Sequence, residues 1–123
     1  MKKILFIEDE ASLQKTVGEI LKQEGFEVLE ALDGDAGLAI AKEENPDLIL
    51  LDLVLPKKDG FEVLKYLKED PGTRHIKVVV LTNLEGSGDV ERALELGATT
   101  YLVKANYNLE ELVQKVKDLV NEG

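Results

Sequence analysis

Asp52 is the only charged residue in the aliphatic run LILLDLVLP, Leu48 to Pro56. A run this apolar predicts a strand buried on both faces, where an unpaired carboxylate costs several kcal/mol or loses its charge. Asp52 is therefore expected at the strand's end, with partners. Three other apolar runs end in residues that could supply them: KILFIE leads into Glu8 and Asp9, KVVVLT ends in Thr82, and TTYLVK ends in Lys104. Clustered carboxylates repel and raise one another's pKa unless a cation sits among them. Hard oxygen ligands favour Mg²⁺, which keeps several waters and readily shares its shell with a phosphoryl group. A carboxylate beside such an ion can attack phosphorus and become an aspartyl phosphate. The Lys104 ammonium would then neutralise charge on the transferred group, and the Thr82 hydroxyl would hydrogen-bond one of its oxygens.

Each residue also has a plainer reading. Asp9 and Glu10 could favour a following helix N-terminus, Thr82 could be an ordinary β-branched strand residue, and Lys104 could reach to solvent from a strand end. Singly, these readings hold their own. Together they weaken, because four separate strand ends each deliver the type the chemistry needs.

The elements that must position these residues follow from periodicity. Runs at Lys3 to Glu8, Phe26 to Ala31, Asp47 to Asp52, Lys77 to Thr82 and Thr99 to Lys104 read as strands. Between them lie helical stripes: Leu13, Val17, Ile20 and Leu21; a weaker Ala36, Ala39 and Ile40; Phe61, Leu64 and Leu67; Val90, Ala93 and Leu94; and Leu109, Leu112, Val113, Val116, Leu119 and Val120. Gly25 and Gly97 fall just past helices, Asp33 sits at a helix start, and Asn108 with Glu111 has capping-box spacing. The Gly86-Ser87-Gly88 stretch reads as a loop and helix start. Strict alternation predicts a doubly wound α/β domain of five parallel strands and five helices. In strand order 2-1-3-4-5, a flavodoxin-like three-layer arrangement, ligands bind where the order reverses, between the first and third strands. That is where Glu8, Asp9 and Asp52 end their strands.

Composition bounds the rest. The chain of 123 residues, 44% hydrophobic, suits one domain spanning residues 1–123. It contains no cysteine, hence no disulfide framework or thiolate metal site. Its N-terminal apolar run is short and closed by acids, so neither a signal peptide nor a membrane span is expected, and a cytoplasmic location is. Twenty-five acidic against fifteen basic residues give a formal charge of −10, which disfavours direct nucleic-acid contact. His75, in the turn-like DPGTRH, reads as a solvated loop residue.

With these residues in place, the chain resembles the receiver domain of two-component response regulators along its full length. The resemblance rests on Glu8-Asp9, Asp52, LPKKDG (Leu55 to Gly60), Thr82, and ELGATTYLVK (Glu95 to Lys104). It implies that Asp52 accepts the phosphoryl group from a sensor histidine kinase or phosphotransfer protein. It implies further that Glu8 and Asp9 bind Mg²⁺ with a backbone carbonyl from Val54, and that Lys104 binds the phosphate. Thr82 would be the switch hydroxyl and Tyr101 the switch aromatic. The same resemblance places the output surface on the fourth helix, fifth strand and fifth helix, where a downstream protein or a second copy of the chain would dock. Because the chain ends soon after the last apolar stripe, output is expected to pass through a partner rather than a further domain. The chain is not expected to be an enzyme beyond its own phosphorylation and dephosphorylation.

Two positions depart from the family pattern. Ala105 follows Lys104 where proline is usual, often after a cis peptide, and a cis non-proline bond costs about 2.5 to 4 kcal/mol. Asn83 follows Thr82 where a small residue is usual, and could narrow the pocket. Val54 and Leu84 offer no side-chain group to position an attacking water, so slow hydrolysis of the phosphoaspartate is expected. Three rival readings are a degenerate receiver docking constitutively, a haloacid-dehalogenase-like phosphatase, and a flavodoxin-like cofactor binder. The phosphatase would want an acid where Val54 stands, and the cofactor binder a Ser/Thr/Gly-rich loop where EDEASLQK stands.

Overall fold

The computed structural model describes residues 1–121. Five parallel strands, β1 (Lys3–Ile7), β2 (Glu27–Ala31), β3 (Leu48–Leu51), β4 (Lys77–Thr82) and β5 (Thr100–Val103), lie in the order β2-β1-β3-β4-β5. They alternate with α1 (Ala11–Gln23), α2 (Gly34–Glu44), α3 (Gly60–Glu69), α4 (Ser87–Glu95) and α5 (Leu109–Asn121). This is the expected doubly wound topology.

Strand residues alternate between two cores, as the pleat requires. Leu5, Ile7, Ile49, Leu51, Val78 and Val80 face one side, packed with Leu38, Phe61, Leu64, Leu67 and Ala93. Ile4, Phe6, Leu48, Leu50, Val79 and Leu81 face the other, covered by Val17, Leu21, Leu112, Val113 and Val116. The three central strands are apolar on both faces because helices cover both. No helix among the described residues is long and apolar enough to cross a membrane.

The predicted caps form. Asp33 accepts from the Ala36 amide at 2.8 Å, and Asn108 and Glu111 bond each other's backbone N–H groups at 2.8 and 3.3 Å. Gly25 and Gly97 have φ of 96° and 110°, the left-handed region that favours glycine. Helix α4 starts at Ser87 behind Gly86. His75 is exposed in its loop.

Two stripes differ from expectation. On α2 the buried residues are Gly34, Gly37, Leu38 and Ala41, while Ala39 is exposed. Glycine supplies the close approach there: a Cβ on Gly37 would lie 2.5 Å from Ile7 Cδ1. On α4, Ala93 is buried and Leu94 is exposed, with Leu96 just beyond the helix packing against the core in its place. Alanine and glycine carry too little hydrophobic signal to fix the phase of a short helix.

Candidate functional site

Asp52 lies one residue beyond β3, at the carboxyl rim of the sheet. Its amide donates to Ile7 O at 3.1 Å, which fixes the end of β3 against the end of β1. The chain then turns sharply. Gly60 N donates to Leu53 O at 2.9 Å, and a Cβ on Gly60 would lie 2.4 Å from Asp52 O. Glycine is required at that approach because no side chain fits.

Around Asp52 the structure brings together Glu8, Asp9 and Lys104. The Asp52 carboxylate is nearly enclosed: Oδ1 accepts from the Val54 amide at 3.2 Å and Oδ2 from Lys104 Nζ at 2.9 Å. Glu8 is fully buried just past β1. Its Oε2 accepts from the Glu10 amide at 3.0 Å, and its Oε1 meets the charge of Lys104 Nζ at 2.7 Å, out of line for a hydrogen bond. Lys104 thus bridges two buried carboxylates. Asp9 is exposed, yet one oxygen each from Glu8, Asp9 and Asp52 lie within 4.8 Å of one another. Glu8, Asp9, Glu10, Asp52, Val54, Asn83 and Lys104 line an open cleft of about 350 Å³.

Burial pushes the Glu8 carboxyl above its ordinary range, and the Asp52 charge adds to this against the opposing effects of Lys104 and the Glu10 amide. Burial alone would lower Lys104. Its close contacts with the Glu8 and Asp52 carboxylates outweigh it and hold the ammonium above its usual pKa. The lysine therefore stays charged beside Glu8, whose carboxyl is raised mainly by burial.

Thr82, fully buried at the end of β4, lies outside the cleft lining; its hydroxyl accepts from the Leu84 amide at a long 3.4 Å. Tyr101, half-buried on β5, donates its hydroxyl to Leu84 O at 2.8 Å. The two residues are thus linked through the backbone of Leu84, whose N–H bonds Thr82 and whose C=O bonds Tyr101. Lys104 opens a single 3₁₀ turn, Lys104–Asn106, instead of ending β5. The Lys104–Ala105 peptide is trans. Asn83 is exposed at the cleft's rim, and Val54 also presents its side chain to solvent.

The receiver-domain family of response regulators matches residues 4–117. The chain is a response regulator receiver domain. It is 44% identical over 102 residues to the response regulator PleD of Caulobacter vibrioides, covering 83% of this chain and 22% of PleD. To the phosphate regulon regulator PhoB of Escherichia coli it is 41% identical over 116 residues, 94% of this chain and 50% of PhoB. The receiver thus spans about half or less of these curated relatives. Among solved structures it is similar to the Mn²⁺-bound form of response regulator Rcp1, with 40% identity, a TM-score of 0.82, and coverage of 97% and 91%. A CheY-like receiver from Methanospirillum hungatei superposes at a TM-score of 0.92 with 29% identity, covering 99% and 95%. Family membership sets aside the phosphatase and flavodoxin readings, and nothing in the described site favours a degenerate receiver.

One contributor was missed from sequence. Gln14, buried on α1, reaches the carbonyls that end β1 and β2. It falls on the helix face of Val17, Gly18 and Leu21, and a lone polar residue on that buried face was the available signal.

Proposed function

We propose that this receiver is a phosphorylation switch in which Asp52 accepts a phosphoryl group from a phosphohistidine of a sensor kinase or phosphotransfer protein. The carrying observation is the Lys104 bridge between Glu8 and Asp52, with Asp9 alongside. Three carboxylates and a lysine on one open cleft form an all-oxygen donor set of the kind that suits Mg²⁺. Glu8, Asp9, Asp52 and the Val54 carbonyl would hold the ion. When bound, it would neutralise the carboxylates and the incoming phosphoryl group.

An Asp52 oxygen attacks phosphorus, the phosphorus–nitrogen bond breaks, and its electron pair returns to the donor imidazole. Lys104 Nζ, now 2.9 Å from Asp52 Oδ2, transfers its hydrogen bonding to the phosphoryl oxygens. The Val54 amide, already on Asp52 Oδ1, holds the carboxyl's orientation. The Thr82 hydroxyl turns from Leu84 toward the new negative charge. Leu84 also carries the Tyr101 hydroxyl bond, so this movement reaches the outer face of β5. Output then passes to a protein partner, or a second copy of the chain, through α4, β5 and α5.

Intact-protein mass after incubation with Mg²⁺ and acetyl phosphate tests the reading. A single phosphoryl shift, absent in Asp52→Asn and with EDTA, is expected. No shift in the unaltered protein, with candidate kinases also supplied, overturns it.

A further inference from the structure

We propose that Gln14 is a positioning residue for the cation site, its carboxamide holding in place the segment that presents Glu8 and Asp9. The inference rests on those two residues being cation ligands. Gln14 lies in the first turn of α1 with only 4% of its surface exposed. Its Nε2 donates to Ala31 O at 2.8 Å, Phe6 O at 3.2 Å and Glu8 O at 3.3 Å. A carboxamide has two N–H bonds, so three carbonyls share them, with Ala31 taking the shortest.

The result is a clasp on the acidic segment. The Glu8 backbone is held at both ends, its N–H by Ala31 O at 3.0 Å and its C=O by Gln14. One turn on, the Gln14 amide donates to Glu10 O at 3.0 Å. Asp9 therefore sits between two carbonyls that both bond to Gln14, one through its side chain and one through its backbone. This matters because the Asp9 side chain is exposed, and its position is set by the backbone that carries it. Without the carboxamide, Glu8 O and Ala31 O lose a donor in a region closed to water, and the segment relaxes to recover hydrogen bonds.

Partners that orient ligands typically change metal affinity roughly 10- to 100-fold when removed. The test is a calorimetric Mg²⁺ titration of folded wild type, Gln14→Met and Val17→Ala. Val17 is buried on the same helix face and packs in the apolar core, so its variant reports the effect of lost stability. Gln14→Met is expected to bind Mg²⁺ at least tenfold more weakly than wild type, with Val17→Ala unchanged. Equal affinity in wild type and Gln14→Met, or equal weakening in Val17→Ala, overturns the positioning role and leaves the cation site standing. Absence of Mg²⁺ binding by wild type overturns both. Should Gln14→Met fail to fold, Gln14→Asn serves, since it keeps the donors on a shorter arm; unchanged affinity there, or loss of the fold in both, also refutes the role.

Discussion

Replacing Lys104 by methionine removes the charge between Glu8 and Asp52 while keeping most of the side chain's length and packing. Both carboxylates are almost fully enclosed, and Lys104 itself is only 15% exposed, so solvent screens the pair weakly. Removing one partner of a buried ion pair commonly costs about 3 to 5 kcal/mol. Protonation offers an escape that limits the cost here. Neutralising Glu8 at pH 7 from its ordinary value of 4.5 requires about 3 kcal/mol. The expected loss is therefore about 3 kcal/mol, or roughly 10 °C in Tm for a domain of this size. Its sign with pH is fixed as well. In the variant the Glu8 pKa rises further in the folded state, so between pH 4.5 and that raised value the native protein binds more protons than the unfolded chain. Stability falls as pH rises through this window, and the deficit closes toward pH 4.5. Mg²⁺ replaces the missing ammonium, so it should stabilise Lys104→Met more than wild type. Urea unfolding at pH 4.5 and 7, with and without Mg²⁺, reads all three effects. A deficit independent of pH, or no deficit at pH 7, would refute the coupled charge cluster.

Gly60→Ala forces a Cβ to 2.4 Å from Asp52 O and Leu53 Cα, both backbone atoms, and should destabilise by about 3 kcal/mol in denaturant titration; a loss below 1 kcal/mol would show that the turn after Asp52 yields freely. Tyr101→Phe deletes the bond to Leu84 O and should cost about 1 kcal/mol in the unphosphorylated protein while leaving phosphorylation by acetyl phosphate intact. Loss of phosphorylation in that variant would place Tyr101 in the chemistry rather than downstream of it. Phosphoaspartate decay, followed by intact mass after donor removal, should take minutes or longer, because Val54 and Leu84 present no polar side chain to a water. Decay within seconds would count against that reading.

Sequence made the strands legible because helices cover both faces, leaving β1, β3 and β4 as unbroken aliphatic runs whose ends name the rim. Order 2-1-3-4-5 then placed Glu8, Asp9 and Asp52 together before any distance was known. Less legible were features carried by small residues or by backbone. The inward face of α2 is set by Gly34 and Gly37, which have no hydrophobic signal, and the exposed Leu94 satisfies a helical period without packing. The Lys104 turn escaped because residues that can extend a strand or begin a 3₁₀ turn look alike. Gln14 escaped for another reason: its partners are carbonyls, which every residue has, so no motif marks them.

Charge explains why Asp52 can interrupt so apolar a run. Glu8, Asp9 and Asp52 against Lys104 leave two net negative charges, which one divalent cation would cancel. Lys104 makes the cluster tolerable without the cation by bridging its two most buried members, while Asp9 stays in water. Phosphorylation at Asp52 adds about −1.5 to −2 charges and upsets that balance. Beyond what Lys104 and a bound cation would neutralise, the proposed switch meets the excess with a hydrogen-bond donor that can turn toward the site. In the proposed switch that donor is Thr82 at the end of β4, whose contact with the Leu84 amide, at 3.4 Å, is long enough to give up. Because Leu84 also holds the Tyr101 hydroxyl, a turn of Thr82 toward the cleft would be felt at Tyr101 on β5.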